Sequence, residues 1–362
     1  MNSRKFRTQI EESIRHGILR PGEPVGLACD LAERFEVPLI TVNRVLRSLA
    51  DEGQLVRVKR KGTFVAAKPR QRSLRIGLAF PSKLQDPTPE YAAAIDIFLK
   101  YAREVLEHKS LSAVPVSFED LHQESFDAFL HLDGLLSTAD FIDSDTIPVL
   151  LKKKYPVAIV QHTIPISLPF IQVVPDIVHG FSAAAKAFRI RGIRKITLLS
   201  DNRETHLERC EKFRLAAQWF GYAENDIGLR KISSIIGAPP QLSGYKLGEE
   251  ILKDFTPGSA FFVPSDLTGF GLLSCFLEGK LVPDKDFLLI GFDNLEDETR
   301  PFGKPMLTSV SFPKHEIIRE AIDLLCEHIA NPMSPRMISI LPTDLVFRET
   351  FRELPELNKN PS

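Results

Sequence analysis

The sequence predicts an α/β protein in two parts, a small helical head that ends in a β-hairpin and a larger body with parallel sheets. Three observations lead to this prediction. The chain has 362 residues, which is more than one hydrophobic core usually covers. Its basic side chains are concentrated near the N-terminus. From residue 74 onward, short apolar runs alternate with amphipathic segments, a pattern typical of βα units.

The distribution of charge separates the two parts. Residues 1–75 hold 16 Lys and Arg against 8 Asp and Glu, whereas the rest of the chain holds 30 against 39. A basic head on an acidic body indicates that only the head meets a polyanion such as nucleic acid. A solvated basic surface is the alternative interpretation of the same charges.

The overall composition is that of a soluble protein, with 43% hydrophobic and 26% charged residues. No apolar run is long enough to span a bilayer, so we expect no membrane contact. The charged N-terminal residues lack a signal-peptide core, so a cytoplasmic location is expected. The four cysteines are far apart in the sequence and are expected to be free thiols packed as small apolar residues.

Hydrophobic periodicity places three helices and two strands in the head. An i, i+4 stripe of apolar residues predicts a first helix, and Pro21-Gly22 ends that segment. The stripe is Phe6, Ile10, Ile14 and Ile18. A second helix is predicted over 30–35 and a third over 39–51, followed by short strands over 55–58 and 63–65. Helix, helix–turn–helix and hairpin together make a winged helix–turn–helix.

The third helix has one apolar face and one polar face, as a helix in a major groove requires. The predicted DNA-binding residues are those on the polar face, Thr41, Asn43, Arg44 and Arg47, and the cations at the hairpin tip, Lys59, Arg60 and Lys61. The tip cations would meet phosphates or a minor groove.

These head residues resemble the GntR-type winged helix over nearly all of residues 5–66. The matching segments are Ile14–Gly22, Leu31–Val37, Thr41-Val42, Leu49–Leu55 and Gly62–Val65. The resemblance implies binding to double-stranded operator DNA. This chain departs from the family at places where the family normally has residues that specify an operator. The residues at those places here are Cys29, Pro38, Leu39, Asn43 and Arg60. Asn43 is suited to read adenine, and the tip cations are suited to hold phosphates.

Residues 68–73 are polar, basic and interrupted by proline, so we interpret them as a linker between a domain over 1–67 and a domain over 74–352. Candidate strands in the larger domain are 74–80, 134–136, 157–160, 195–199, 260–263 and 287–291. Candidate helices between them include 91–106, 178–188, 207–220, 247–253 and 270–277. The length suits two lobes of parallel sheet, with a ligand cleft beyond the carboxyl ends of the strands.

The body resembles the effector domain of LacI-type repressors, which is periplasmic-binding-protein-like. The matching segments are Leu132–Leu136, Tyr155–Val160, Val173–Asp176, Arg191–Ile196, Arg209 with Phe213, Ile290–Asp293, Leu307–Val310 and Leu341–Thr350. The resemblance implies an effector cleft lined by Phe80, Ser82, Gln161, Arg209, Asp266 and Asp293. The family pattern has Asn-Asp where this chain has Ser265-Asp266.

Carboxylates, an arginine fork and an aromatic ring are the groups that bind polyols, so the resemblance implies a sugar or sugar derivative as effector. For Asp266 a helix N-cap is the alternative role, and for Arg209 and Asp293 the alternative is a structural salt bridge.

No nucleophile elbow, metalloprotease motif or phosphate-binding loop is present in the sequence, so no enzymatic activity, cofactor or metal site is predicted. The predicted function is a DNA-binding regulator, a repressor, that works as a homodimer and is controlled by a small molecule. Two alternatives stay open: a regulator whose cleft has lost sugar binding and which answers to a protein partner, and a sugar-binding protein without regulation.

Overall fold

The computed structural model divides the chain into two compact units, Met1–Leu74 and Arg75–Ser362. We call them the head and the body. The structure describes residues 3–15, 17–59, 61–67, 73–80, 89–117, 132–138, 142, 144–152, 154–160, 167–201, 203–231, 238–299, 301–332 and 337–354. Three residues predicted to bind ligands, Arg60, Ser82 and Gln161, lie outside these ranges, as does most of the predicted linker.

The head contains helices α1 (Ser3–Arg15), α2 (Ala28–Arg34) and α3 (Leu39–Asp51), followed by strands β1 (Leu55–Val58) and β2 (Gly62–Val65). The two strands pair antiparallel as a hairpin, the wing. Apolar side chains of all five elements form one core. On α3 they recur at i, i+3, i+4 and i+7, so they lie on one face of the helix and pack together. The core includes Phe6, Ile10, Leu31, Val42, Val45, Leu46, Leu49, Leu55 and Val65.

Two expectations for the head were wrong. Ile18 does not continue the stripe of α1, because the helix ends at Arg15 and Gly17 follows with a φ of +71°. A glycine with positive φ is the usual stop signal for a helix, and it leaves Ile18 73% exposed. Cys29 was expected to pack as a small apolar residue, but it is exposed, whereas Cys210 and Cys275 are buried. All four thiols are free.

The body contains two six-stranded sheets. The first, the N-lobe sheet, has the order β13-β7-β6-β5-β3-β4 and is wholly parallel. Its strands are β3 (Arg75–Ala79), β4 (Ser112–Val116), β5 (Gly134–Thr138), β6 (Val157–Val160), β7 (Ile171–Asp176) and β13 (Ile338–Pro342). Its helices are α4 (Pro89–His108), α5 (Thr146–Lys152) and α11 (Lys314–Ala330).

The second sheet, the C-lobe sheet, has the order β14-β12-β11-β10-β8-β9, and only β14 runs antiparallel to its neighbour. Its strands are β8 (Ile196–Ser200), β9 (Ile227–Lys231), β10 (Ser259–Phe262), β11 (Phe287–Asp293), β12 (Thr308–Ser311) and β14 (Leu345–Val346). The accompanying helices are α6 (Ile177–Ile190), α7 (Glu204–Trp219), α8 (Pro240–Leu252), α9 (Asp266–Glu278) and α10 (Glu296–Thr299). This architecture confirms the predicted mixed α/β class with parallel sheets.

The strands that the sequence analysis missed are mostly exposed on one face or interrupted. Strands β4, β9 and β13 each have only one fully buried residue, so no continuous apolar run identifies them. Strand β7 is buried but contains Gln172 and Pro175, which break its apolar run. Short β12 and β14 were also missed.

In the described residues the chain passes between the lobes three times, and Thr343 links two of the crossings. The crossings follow β7, β12 and β13 at their carboxyl ends. The Thr343 hydroxyl donates to the carbonyl of Asp176 and accepts the amide N–H of Gly180. Gly180 approaches so closely that a Cβ there would lie 2.6 Å from the Thr343 hydroxyl. The carboxyl edges of the two sheets therefore meet at these crossings, which is where parallel sheets bind ligands.

Within the described ranges, no helix is long and apolar enough to cross a membrane. The same part of the chain contains no group of three or more His, Cys, Asp or Glu side chains arranged to hold a metal ion.

Candidate functional site

The outer face of α3 is the first candidate site. Val42, Val45, Leu46 and Leu49 turn into the core, which leaves the predicted polar residues on the opposite side. Arg44 and Arg47 are exposed, and Thr41 and Asn43 are half-buried. The structure thus places all four predicted residues on one helix and outside the core of the head.

Asn43 is held by bonds inside the head. Its amide nitrogen donates to the carbonyl of Leu39 at 3.2 Å, and its amide oxygen accepts from the Arg57 guanidinium at 3.2 Å. The predicted bidentate contact of Asn43 with adenine needs both of these groups. In the free protein the amide nitrogen and the amide oxygen of Asn43 are therefore each engaged once within the head, and the bond to Arg57 joins the wing to α3.

Arg57 is a residue that the sequence analysis missed. It lies on β1, and its bond to Asn43 joins the wing to the second turn of α3. Strand alternation places Arg57 on the same side of β1 as buried Leu55, which packs in the head core. That period-two pattern was the available signal that Arg57 lies on the core side of β1, where its exposed guanidinium reaches Asn43.

The wing carries cations beside an open groove. Lys59 and Lys61 are both exposed at the tip, and Gly62 turns the chain with a φ of +115°. The groove has a volume of about 500 Å³. It is lined by Gly26, Leu27, Ala28, Arg57, Val58, Lys59, Gly62 and Thr63. Two of these residues are cationic, so the groove favours an anionic chain such as a phosphate backbone.

The second candidate site lies at the carboxyl edge of the C-lobe sheet, where Arg209 and Asp293 meet. The Arg209 guanidinium is 3.3 Å from one Asp293 carboxylate oxygen and 2.7 Å from the carbonyl oxygen of Pro264. It also lies over the ring of Phe292, with 4.2 Å between the guanidinium carbon and the ring centroid. Both members of the pair keep part of their side chains accessible. The pair is preorganised and has donor and acceptor capacity left for a hydroxyl-bearing ligand.

The backbone at Asp293 is strained. Asp293 has a φ of +105° and Asn294 a φ of +52°, both in the region that favours glycine. Side chains from other segments hold this turn: the Lys314 ammonium donates to the Asp293 carbonyl, and Arg348 donates to the Asn294 side chain. Strain retained by surrounding bonds is frequent at ligand sites, because it fixes a functional side chain.

Asp266 does not face the cleft as predicted. It is completely buried, and its two carboxylate oxygens accept hydrogen bonds from the Leu295 amide and the Ser309 hydroxyl, each at 2.8 Å. Burial, followed by the charge of Asp293, raises the pKa of Asp266 to about 8. The alternative of an N-cap is not observed either, since Ser265 occupies the N-cap position of α9. Asp266 instead fixes the loop after β11.

Phe80 is buried at the carboxyl end of β3. It directly follows β3 and is only 7% exposed, so little of its ring is accessible, and its contact with an effector stays a prediction. The neighbouring predictions Ser82 and Gln161 lie outside the described residues. The described part of the proposed cleft therefore consists of the C-lobe edge.

The sequence analysis missed a cluster that follows β8. Asp201 is nearly buried and accepts from the Arg203 guanidinium at 2.6 Å, and the Nδ1 atom of His206 lies 3.1 Å from it. Burial acts to raise the pKa of Asp201, but the contacts with His206 and the backbone lower it below its usual value. Burial lowers the pKa of His206 below its usual value, against the opposing effect of its contact with Asp201. The available signal was the position of Asp201, directly after an apolar strand.

Comparison with known proteins supports the family resemblance of both parts of the chain. Residues 3–65 match the gntR family of bacterial regulatory proteins, and residues 185–351 match a periplasmic binding protein-like domain. The HTH-type transcriptional repressor PurR of Photobacterium profundum is 27% identical over 226 residues. That alignment covers 62% of this chain and 65% of the relative.

Two shorter matches agree with this division. The histidine utilization repressor of Klebsiella aerogenes is 40% identical over 70 residues, which are 19% of this chain and 29% of the relative. The repressor CytR of Escherichia coli is 31% identical over 113 residues, or 31% of this chain and 33% of the relative. The chain thus spans less than two thirds of the length of each of these relatives.

Solved structures match the body. A LacI family regulator of Enterococcus faecium with bound ribose gives a TM-score of 0.60 at 20% identity, covering 77% of this chain and 99% of that one. A LacI family protein of Rhizobium etli gives 0.62 at 18% identity, covering 78% and 100%. These likenesses establish the fold of the body. The chain is therefore a fusion of a GntR-type winged helix with a periplasmic binding protein-like domain of the fold found in LacI family regulators.

Proposed function

We propose that this protein is a transcription repressor that binds double-stranded operator DNA through its head and is controlled by a sugar-like effector bound between the lobes of its body. The observation that carries the first half is the exposed cationic surface formed by Arg44 and Arg47 on α3 and by Lys59 and Lys61 on the wing. Phosphate contacts from such a surface supply affinity for DNA. The curated relatives are repressors, which supports the direction of control.

The effector half rests on the Arg209–Asp293 pair. A carboxylate that accepts from two hydroxyls and a guanidinium that donates in a fork form a suitable arrangement for adjacent sugar hydroxyls. The Enterococcus faecium structure described with bound ribose shares the fold of this body. Ribose is therefore the first effector to test.

A homodimer is part of the proposal. One winged helix makes few base contacts, whereas two heads on a two-fold operator double the interface. Closure of the two lobes on a ligand changes the affinity for the operator only if the ligand binds one lobe arrangement more tightly than the other.

The proposal is tested by measuring affinity for DNA upstream of the protein's own gene and of neighbouring genes, with and without ribose and a panel of other sugars. We expect saturable binding that weakens as one sugar is added, together with an increase in the melting temperature of the protein with that sugar. Failure to bind any of these DNA fragments at low salt would remove the regulatory half of the proposal.

A second candidate is a regulator whose cleft no longer binds sugar. It is favoured by the burial of Phe80 and Asp266 and by Ser265, which is 1% exposed at the position where the resembled family has Asn. Native mass spectrometry of the protein purified from its host distinguishes the two. A stoichiometric sugar-sized ligand supports the first candidate, whereas a co-purifying protein and no response in the sugar panel support the second.

A further inference from the structure

The first turn of α3 exposes two aliphatic side chains that the core does not need. Leu39 is 49% exposed and Ile40 is 81% exposed. The remaining aliphatic side chains of α3 are buried, and they already complete the core of the head. An isoleucine that is 81% exposed gains little from folding, so an explanation for this pair lies outside the head itself.

The position of this pair points to DNA. α3 is the second helix of the helix–turn–helix, and in that motif the N-terminal residues of the second helix meet base edges in the major groove. Exposed cations flank the pair on two sides: Arg44 and Arg47 follow it along α3, and Arg57 joins the wing to Asn43 in the second turn. DNA fits such a surface, because its phosphates would meet the cations and the apolar groups in its major groove would meet the aliphatic pair.

The amide side chain one turn beyond Leu39 makes hydrogen bonds within the head. Asn43 donates to the Leu39 carbonyl and accepts from Arg57, so its amide is engaged within the head. In the first turn itself, Thr41 is half-buried and Val42 is buried, so its exposed side chains are the two aliphatic ones. In the major groove the apolar group is the 5-methyl of thymine, which contacts aliphatic side chains.

We propose that Leu39 and Ile40 read thymine methyl groups, so that each half of the operator contains thymine at the base pairs facing the start of α3. This inference rests on the proposed DNA binding and adds the chemical basis of its specificity. The cations supply affinity without sequence information, and the aliphatic pair supplies selectivity for thymine. Ile40 is the more exposed of the two, so it makes the larger contribution.

The test uses the full chain and a randomised duplex library made with thymine. Sites selected from that library are resynthesised with uracil in place of thymine, one position at a time, and the dissociation constants are compared. Uracil keeps the Watson–Crick and carbonyl groups of thymine and lacks only the methyl. We expect one or two positions in each half-site where uracil weakens binding by about fourfold, the factor for burying one methyl-sized group.

Two variants assign the effect to Ile40. Ile40→Ala is expected to bind the thymine and uracil duplexes with equal affinity at the position it contacts. Ile18→Ala is the matched control, because Ile18 is also an isoleucine of the head, is 73% exposed and lies outside α3. It should keep the fourfold preference. Both substitutions are at exposed positions, and equal melting temperatures would show that neither disturbs the fold.

Each outcome has a distinct meaning. Selection that enriches no sequence, with no measurable binding, would overturn the proposed function. Sequence-specific sites that bind equally well with uracil at every position would overturn the methyl inference and leave DNA binding intact. A fourfold preference that persists in Ile40→Ala would likewise overturn it. A change in oligomeric state of Ile40→Ala, with thymine preference unaltered, would identify the pair as a contact between copies and overturn it too.

Discussion

The guanidinium of Arg209 lies 3.3 Å from the carboxylate of Asp293, and the two residues come from different helix–strand units of the C-lobe. Arg209 is in the second turn of α7, and Asp293 is the last residue of β11. Because Arg209 also bonds to the Pro264 carbonyl, its position does not depend on Asp293 alone. This arrangement allows the charge of Asp293 and its backbone conformation to be tested separately.

Substitutions at Asp293 are expected to separate strain from ligand binding. Asp293→Ala removes the carboxylate but keeps an L-residue at a φ of +105°, so it retains the backbone strain, which costs about 1–3 kcal/mol of unfolding free energy. Asp293→Gly removes the same carboxylate but adopts that φ without strain, so it should be more stable than Asp293→Ala. Urea unfolding measures the difference. Both variants should lose the sugar-induced increase in melting temperature, and a full response in either would contradict the effector role.

Asp266 should make stability depend on pH. Its pKa is raised to about 8 in the folded protein, while an unfolded Asp titrates near 4. Because the pKa is higher in the folded state, the stabilisation that comes from the protonated Asp266 carboxyl is complete below about pH 4 and is lost as pH rises toward about 8. Asp266→Asn mimics the protonated acid: it accepts from the Leu295 amide and donates to Ser309.

The variant should therefore match the wild type near pH 4 and become progressively more stable than the wild type as pH approaches 8. Unfolding in urea at a series of pH values measures this difference. Asp293 and Lys314 contribute opposite charges beside Asp266, so the measurement is repeated in Asp293→Asn to assess their coupling. A difference between the two proteins that does not change with pH would show that Asp266 is ionised throughout.

Thr343 should stabilise the crossings between the lobes. Thr343→Val keeps the shape of the side chain but leaves the Gly180 amide and the Asp176 carbonyl without their shared partner. The expected cost is about 1–3 kcal/mol of unfolding free energy, typical of buried groups left unsatisfied. Thr343→Ser retains the hydroxyl and is the control. If the serine variant lost as much stability as the valine variant, the methyl group and not the hydroxyl would be the important feature.

The wing cations should contribute to affinity for DNA without sequence preference. Lys61→Ala removes one exposed charge at the tip and should weaken binding to all duplexes by a similar factor. The slope of log affinity against log salt should fall by about 1, the value for one lost phosphate contact. Fluorescence anisotropy over a range of salt concentrations gives both quantities. Lys246→Ala changes an exposed lysine of the body, and an equal effect there would argue against a specific role for the wing.

The head was largely predictable because its elements are local. The limits of α3 and β1 agree with those predicted, since each follows from an uninterrupted apolar period and a glycine at Gly53 or Gly62. Ile18 was misplaced because a stripe of apolar residues does not show where a helix stops. The positive φ at Gly17 decides that point.

The candidate cleft was less predictable, because its residues meet only after the sheets form. The resemblance indicated Arg209, Asp266 and Asp293, and the structure brings all three to the carboxyl edge of one sheet. It separates their environments, however, with Asp266 completely buried and the other two partly accessible. The Asp201–His206 contact was missed, since neither residue belongs to a recognised motif.

The sequence by itself determined the two-part organisation, the class of each part and the charge of the head, because periodicity and composition are properties of the chain. Only the tertiary structure decided which polar groups remain free. Asn43 is occupied by Arg57, and Asp266 by Leu295 and Ser309, while Ile40 is left in solvent. Hydrogen bonds between distant segments cannot be deduced from spacing, and burial depends on what packs above a residue once the chain has folded.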